Sequence, residues 1–172
     1  LWNASRYCLM NIDDKFVRDE NLLSLETDHW IMAKLNHIIK QVSMNLDRYE
    51  FGIAGNELIN FVWNDFCSSF IEFSKSALNS DDLEAKNHTL SVLLYVLEKT
   101  LILLHPFIPF VTEEIYQQIY DTEHSITIAD WPKAYEGVDE SKANSIDVLN
   151  EIILITREIR SENDLKPSKE LK

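Results

Sequence analysis

Residues 101–116 read LILLHPFIPFVTEEIY, and they predict two helices joined by a sharp corner. Pro106 has no amide hydrogen and disfavours the helical conformation of the residue before it, so an apolar helix should end near Leu104. A second helix is expected to begin directly, because Pro109 suits a first helical turn. The connection between them, residues 107–110, has no polar side chain, which predicts that this corner is buried in a helical bundle.

Length and composition favour helices for the whole chain. Its 172 residues fit one domain and include 3 glycines and 4 prolines. Such a scarcity of turn-forming residues favours few, long elements. Apolar residues recur three or four positions apart in six stretches, which we interpret as helices. These stretches are 1–12, 27–49, 53–73, 84–104, 109–120 and 144–161.

The six stretches predict an all-α antiparallel helical bundle. Residues 125–128 alternate briefly between polar and apolar side chains, so we expect a short strand-like strap there, fastened by the indole of Trp131. The bundle is expected to occupy residues 1–140, and a final helix to follow within residues 141–172. On that helix the residues expected to face inward are Ile146, Leu149, Ile152, Ile153 and Ile159.

The charge distribution limits the kinds of partner. The formal net charge of −13 disfavours a protein whose main task is to grip phosphate groups. Residues 79–140 contain 12 acidic and 3 basic side chains, whereas residues 141–172 contain 6 of each. A polyanionic partner should therefore contact the first and last parts of the chain and be repelled by the middle.

The sequence lacks the usual catalytic motifs. It has no glycine-rich phosphate loop, no G-x-S-x-G and no H-E-x-x-H. Glu26 and His29 form one E-x-x-H motif, whereas a di-iron bundle needs two, with further glutamates. Cys8 and Cys67 fit no metal-ligand spacing and are interpreted as core thiols of a reducing cytosol. Without a signal peptide or an apolar run that could span a membrane, we expect a cytoplasmic protein with no metal or cofactor in this segment.

The first helix carries the clearest candidate binding residues. Asn3, Arg6 and Tyr7 are spaced i, i+3, i+4 and so share one face, whereas Trp2 is expected to turn inward. An amide and a guanidinium can read base edges, and a flat ring can stack on an unstacked base. The alternative is that Arg6 pairs with an acidic neighbour and Tyr7 packs inside the bundle.

A second group of basic residues lies on and after the last helix. Its members are Arg157, Arg160, Lys166 and Lys169. Side chains of this kind contact phosphates without reading sequence. The alternative is ordinary solvated surface charge.

Four segments resemble one protein family. They are LWNASRY at 1–7, FVWNDFC at 61–67, LHPFIPFVTEEIY at 104–116 and DWP at 130–132. In this order and at these distances they resemble the helical anticodon-binding domain of class I aminoacyl-tRNA synthetases, and most closely its valyl branch. The isoleucyl and leucyl branches share the same bundle and are the alternative within the family.

The resemblance implies a function and a division of labour. This segment would recognise the anticodon loop of valine-specific tRNA, would be a monomer, and would bind neither DNA nor membranes. Ligation of valine to tRNA, with ATP and Mg²⁺, would take place in other parts of a longer chain from which this segment is excised. Residues 141–172 would then include a truncated junction to a further C-terminal domain.

The resemblance also indicates which residues meet the RNA. In the family the end of the first bundle helix contacts the anticodon, which matches Arg6 and Tyr7, with Asn3 beside them. Tyr7 stands where phenylalanine is common, and a phenol can still stack. Arg157 and Arg160 are candidate contacts to the tRNA backbone. A helical protein-interaction scaffold without RNA contact is the alternative function, and the charge of −13 suits it.

Overall fold

The computed structural model describes residues 1–120 and 125–165, and the regular structure of these residues is helical throughout. The α-helices are α1 (Trp2–Met10), α2 (Glu26–Asp47), α3 (Phe51–Asn60), α4 (Ile71–Leu78), α5 (Leu83–Leu104), α6 (Pro109–Tyr120) and α7 (Glu140–Glu162). A π-helical segment, Phe61–Phe70, joins α3 to α4, and one turn of 3₁₀ helix covers Ile126–Ile128. The prediction of an all-α bundle is confirmed.

The central helix of the bundle is α5. Asp82 caps its first turn, with its carboxylate accepting hydrogen bonds from the backbone N–H groups of Glu84 and Ala85 at 3.0 and 3.1 Å. The helix ends at Leu104, as Pro106 predicts. Because α1, α2, α3, α4 and α6 all pack against it, 15 of its 22 residues are buried. By length and composition α5 could cross a membrane, but 78% of its apolar window lies inside the bundle, as in a core helix.

A buried histidine ties the loop after α1 to the bundle. On α5, His88 lies with Nδ1 2.7 Å from Asp19 Oδ2 and with Nε2 2.7 Å from Asp28 Oδ2. The Asp28 carboxylate also accepts hydrogen bonds from the backbone N–H groups of Ser24 and Leu25, where α2 begins. Hydrogen bonding to Asp28 and then to Asp19 raises the pKa of His88 to about 9, so the imidazole is charged at neutral pH.

Residues 129–139 run along α2 and lead into α7. The Trp131 indole donates a hydrogen bond through Nε1 to Ser43 Oγ at 2.8 Å and so fastens this segment to α2. Asn36 exchanges two hydrogen bonds with the backbone of Tyr135, at 2.9 and 2.6 Å. The segment is therefore held to α2 by polar contacts at two levels.

The prediction of a strand-like strap at residues 125–128 is wrong. A single helical turn forms instead, in which Ser125 Oγ accepts a hydrogen bond from the Thr127 N–H at 3.2 Å. A strand needs a partner strand to satisfy its backbone, and the described residues contain none. The Ser125 hydroxyl also donates to Glu113 Oε2 at 2.6 Å, which fastens the turn to α6 and lowers the pKa of that carboxyl.

The corner at residues 107–110 is exposed, and the prediction that it is buried is wrong. Phe110 is 91% exposed and Ile108 is 40% exposed. Phe107 is half-buried, and its ring lies 3.6 Å from the position that a Cβ on Gly55 would occupy. The corner lies at the end of the bundle, where α5 reverses into α6, so one aromatic ring reaches a neighbouring helix and the rest face outward.

Hydrogen bonds fix the exposed corner. His105 Nδ1 lies 2.8 Å from Thr112 Oγ1, and this hydroxyl lies 3.0 Å from the carbonyl oxygens of Ile108 and Pro109. Because the hydroxyl donates to a carbonyl, the imidazole donates its Nδ1–H to the hydroxyl oxygen. The corner therefore has a defined geometry without being buried.

The last helix, α7, is less buried than predicted. It begins earlier than expected, because Asp139 caps it by accepting hydrogen bonds from first-turn N–H groups at 2.9 and 3.3 Å. Ile146 is buried and Ile153 is half-buried, as predicted. The inward placement of Leu149, Ile152 and Ile159 is wrong, since they are 48%, 56% and 53% exposed. Within the described residues α7 packs chiefly against α2, and one neighbour covers one side only.

Candidate nucleic-acid interface

Small residues on one side of α1 seat it against α5 and α6. This buried side consists of Ala4, Ser5 and Cys8. The Ser5 hydroxyl donates to the Leu1 carbonyl oxygen at 3.1 Å, so it is satisfied within the helix. Burial raises the pKa of the Cys8 thiol to about 12, in keeping with a core thiol. Because the buried side chains are small, the longer side chains of α1 lie outside this contact.

The structure separates the three predicted contact residues. Asn3 and Arg6 are exposed, whereas Tyr7 is half-buried and packs against the hydrophobic core. The backbone carbonyl of Tyr7 also accepts a hydrogen bond from Asn11 Nδ2 at 2.7 Å. The three residues therefore do not form one open face, and part of Tyr7 serves the packing of α1.

Arg6 lies in an open groove between α1 and α6. The groove has a volume of about 260 Å³ and is lined by Trp2, Ser5, Arg6, Leu9, Met10, Ile115 and Gln118. On α1 the residues Trp2, Arg6 and Met10 are spaced i, i+4, i+8 and therefore share the flank that faces α6. Trp2 is 51% exposed, so the prediction that it turns inward is wrong. Neither Asn3 nor Tyr7 lines the groove.

The Arg6 guanidinium has no carboxylate partner within residues 1–120 and 125–165. In this part of the chain, therefore, no acidic neighbour pairs with Arg6. Across the groove, Gln118 Nε2 donates a hydrogen bond to Glu114 Oε1 at 3.1 Å. This acid of α6 is thus bonded to an amide on its own helix, and no ion pair joins it to Arg6 in the described structure.

The second basic group lies on a different part of the bundle. Arg157 is exposed and Arg160 is half-buried on α7, which packs chiefly against α2, whereas α1 packs against α5 and α6. Lys166 and Lys169 lie outside the described residues. The structure does not bring Arg157 and Arg160 into the groove that holds Arg6.

Sequence reasoning missed two residues of the groove, Trp2 and Gln118. The i, i+4 spacing of Trp2 and Arg6 was the available signal, because residues four apart are neighbours on a helix. The inward prediction followed instead from the size and apolar character of the indole. For Gln118 the sequence offers no signal, since only the packing of α1 on α6 brings it opposite Arg6.

The single E-x-x-H motif has a structural role. His29 accepts a hydrogen bond through Nδ1 from the backbone N–H of Asp139 at 3.0 Å, which fastens the start of α7 to α2. Within the described parts of the chain, no three His, Cys, Asp or Glu side chains gather as a metal site.

A comparison with known protein families identifies the class to which this helical bundle belongs. A family model described as the anticodon-binding domain of tRNA ligase matches residues 28–172. The chain belongs to this family of anticodon-binding domains. Residues 1–27, which include α1, precede the matched part.

Named relatives narrow the comparison to one kind of tRNA ligase. The valine–tRNA ligase of Bacillus cereus (strain ATCC 10987 / NRS 248) is 44% identical over 174 residues, covering 99% of this chain. That of Bacillus subtilis (strain 168) is 45% identical over 175 residues, also covering 99% of this chain. The alignments thus include α1. The chain spans 20% of the length of each of these relatives.

Proposed function

We propose that this chain is the non-catalytic helical domain of a valine–tRNA ligase and recognises the anticodon loop of valine-specific tRNA. Membership of the anticodon-binding family supports the RNA partner. Identity of 44–45% to valine–tRNA ligases over nearly the whole chain favours the valyl branch over the isoleucyl and leucyl branches. The same similarity favours an RNA-binding domain over a scaffold without RNA contact.

The observation that carries the proposal is the Arg6 guanidinium, exposed on α1 and without a carboxylate partner in the described structure. A guanidinium presents its donors in a flat fork that fits the edge of a base. Asn3 is exposed nearby on the same helix and adds an amide, which can both donate and accept. We assign the accessible part of Tyr7 to contact with a neighbouring base.

The ligation of valine to tRNA would take place outside this segment. ATP and Mg²⁺ would be bound by parts of a full-length ligase outside this segment, whose role is to hold the anticodon. We further propose that residues 1–140 form the anticodon-binding bundle and that residues 141–172 form a final helix and a junction, from which Arg157 and Arg160 contact the tRNA backbone. The protein would act in the cytoplasm as a monomer, without DNA or membrane partners.

The net charge of −13 predicts weak binding by the isolated segment. Reading a few splayed bases by stacking and hydrogen bonds needs few cations, whereas most of the affinity for a polyanion comes from phosphate contacts. The segment should therefore bind an anticodon stem-loop more weakly than a full-length ligase does. Its binding should also depend on the anticodon sequence.

The test is a titration of the chain with a stem-loop RNA bearing a valine anticodon, followed by fluorescence anisotropy. Arg6→Ala should weaken binding by about tenfold or more, which corresponds to about 1–3 kcal/mol for the loss of a base-reading arginine. The melting temperature should not change, because Arg6 is exposed and the described residues give it no ion-pair partner.

A matched control is Arg48→Ala, which removes an exposed arginine at the end of α2, outside the groove. It should leave anticodon selectivity unchanged. Stem-loops with isoleucine and leucine anticodons test the specificity. Equal affinity for all three stem-loops, or an Arg6→Ala variant that binds as tightly as the parent chain, would contradict the proposal.

A further inference from the structure

We propose that the groove between α1 and α6 receives one unstacked base of the bound RNA, with Trp2 as the stacking surface and Gln118 as a second edge-reading group beside Arg6. This inference rests on the proposed function and adds to it the pocket and two residues. The matched family model begins at residue 28 and does not include Trp2. We therefore infer the role of Trp2 from its position in the lining of the groove.

The walls of the groove suit a flat apolar ring. Ile115 on α6 is 1% exposed, so it forms the floor of the groove. Leu9 and Met10 form its α1 side, together with the indole of Trp2. An open groove of about 260 Å³ bounded by apolar side chains can hold a planar ring while leaving its edge accessible at the rim.

The exposed indole of Trp2 provides a surface on which a base can stack. An indole that is 51% exposed at the mouth of a groove offers a flat π-face to an incoming ring. Base–aromatic stacking is tolerant of sequence, because every base has such a face. Trp2 is one helical turn from Arg6, so a base stacked on the indole has its edge within the reach of the guanidinium.

The polar groups of the groove distinguish a base from a phosphate. Arg6 can only donate hydrogen bonds, whereas the Gln118 amide has a carbonyl oxygen that accepts them. Because Gln118 Nε2 donates to Glu114 Oε1, the amide is oriented, and among the described residues no donor occupies its oxygen, which can accept from a ligand. A base edge offers both donors and acceptors, but a phosphate offers acceptors only. The nearby Glu114 carboxylate would also repel a phosphate.

The experiment uses the whole chain and an anticodon stem-loop whose loop carries a fluorescent base analogue that is quenched on stacking. With the parent chain, fluorescence should fall on binding. Trp2→Ala should remove most of this quenching and weaken binding by about tenfold, as expected for one lost stacking contact. Trp2→Phe should restore binding and most of the quenching, and Gln118→Ala should weaken binding without removing the quenching.

Trp63→Ala is the matched control, since Trp63 is 70% exposed on the π-helical segment and does not line the groove. It should change neither signal. If the stem-loop binds and Arg6→Ala weakens binding, but Trp2→Ala and Gln118→Ala bind like the parent chain, the groove inference is wrong and the proposed function stands. If the parent chain shows no anticodon-dependent binding, the proposed function itself fails.

Discussion

The helices α5 and α7 are almost equal in length but have opposite surroundings. α5 has 22 residues, of which 15 are buried, whereas α7 has 23 residues, of which Ala143 and Ile146 are buried. Both helices contain many leucine and isoleucine residues. The difference arises because five of the described helices pack against α5, while α7 packs chiefly against α2. The number of neighbours decides how much of a helix is buried.

The spacing of apolar residues along a helix predicts only in part which of its side chains are buried. On α7, Val148, Ile152, Ile155 and Ile159 follow at steps of four, three and four, the spacing of a narrow packing seam. These four side chains are nonetheless 60%, 56%, 48% and 53% exposed. Periodicity therefore identifies a side that could pack against a neighbour, but it does not tell whether that neighbour is present.

The largest expected effect is the truncation of a core residue on α5. Leu97 is fully buried, with no exposed surface. Leu97→Ala removes buried methyl groups and leaves a cavity, so it should lower the free energy of unfolding by about 2–5 kcal/mol. Urea denaturation followed by circular dichroism measures this loss, provided that the slope of the transition stays constant. A loss below about 0.5 kcal/mol, as at surface positions, would remove the contrast between the two helices.

A smaller effect on stability is expected from His88, near the start of α5, which binds Asp19 and Asp28. Its folded-state pKa of about 9 lies above its ordinary value of 6.5, so its charged hydrogen bonds stabilise the fold fully below pH 6.5. This contribution is lost as the pH rises through 9. We expect it to be about 1–2 kcal/mol, because water screens the partly exposed Asp19 side of the cluster.

The measurement compares the parent chain with His88→Gln in urea denaturation across this pH range. The difference in stability should be largest near pH 6 and shrink above pH 9, since the imidazole is then neutral in the parent chain as well. On the acid side, hydrogen bonding to His88 lowers the pKa of Asp19 below its ordinary value of 3.8, so its contribution is present above that pH and lost below it. A stability difference that does not vary with pH would contradict a charged His88.

Much of the fold was predictable because helix ends and apolar spacing are local properties. Pro106 predicted the end of α5 near Leu104, where the structure places it. The exposure of the corner at residues 107–110 was not predictable from its apolar composition, because no local property of Phe110 tells which elements cover it. The packing of the whole bundle decides that.

The candidate site was predictable to a similar extent. Arg6 was identified from the helical spacing of α1, and the structure places it in a groove without a carboxylate partner in the described residues. Tyr7 was grouped with it by spacing, but its side chain is half-buried and packs against the core. Gln118 entered the site only through the contact of α1 with α6, which no sequence spacing encodes.

The smallest expected effect is the same truncation on the exposed side of α7. Leu149 is 48% exposed, so Leu149→Ala should change the free energy of unfolding by less than about 0.5 kcal/mol under the conditions used for Leu97→Ala. A loss as large as that at Leu97 would mean that Leu149 is buried in solution by a neighbour outside the described contacts. Repeating the denaturation at several protein concentrations then separates the sources: a loss that grows with concentration identifies a second copy of the chain, and a constant loss identifies a contact within one chain.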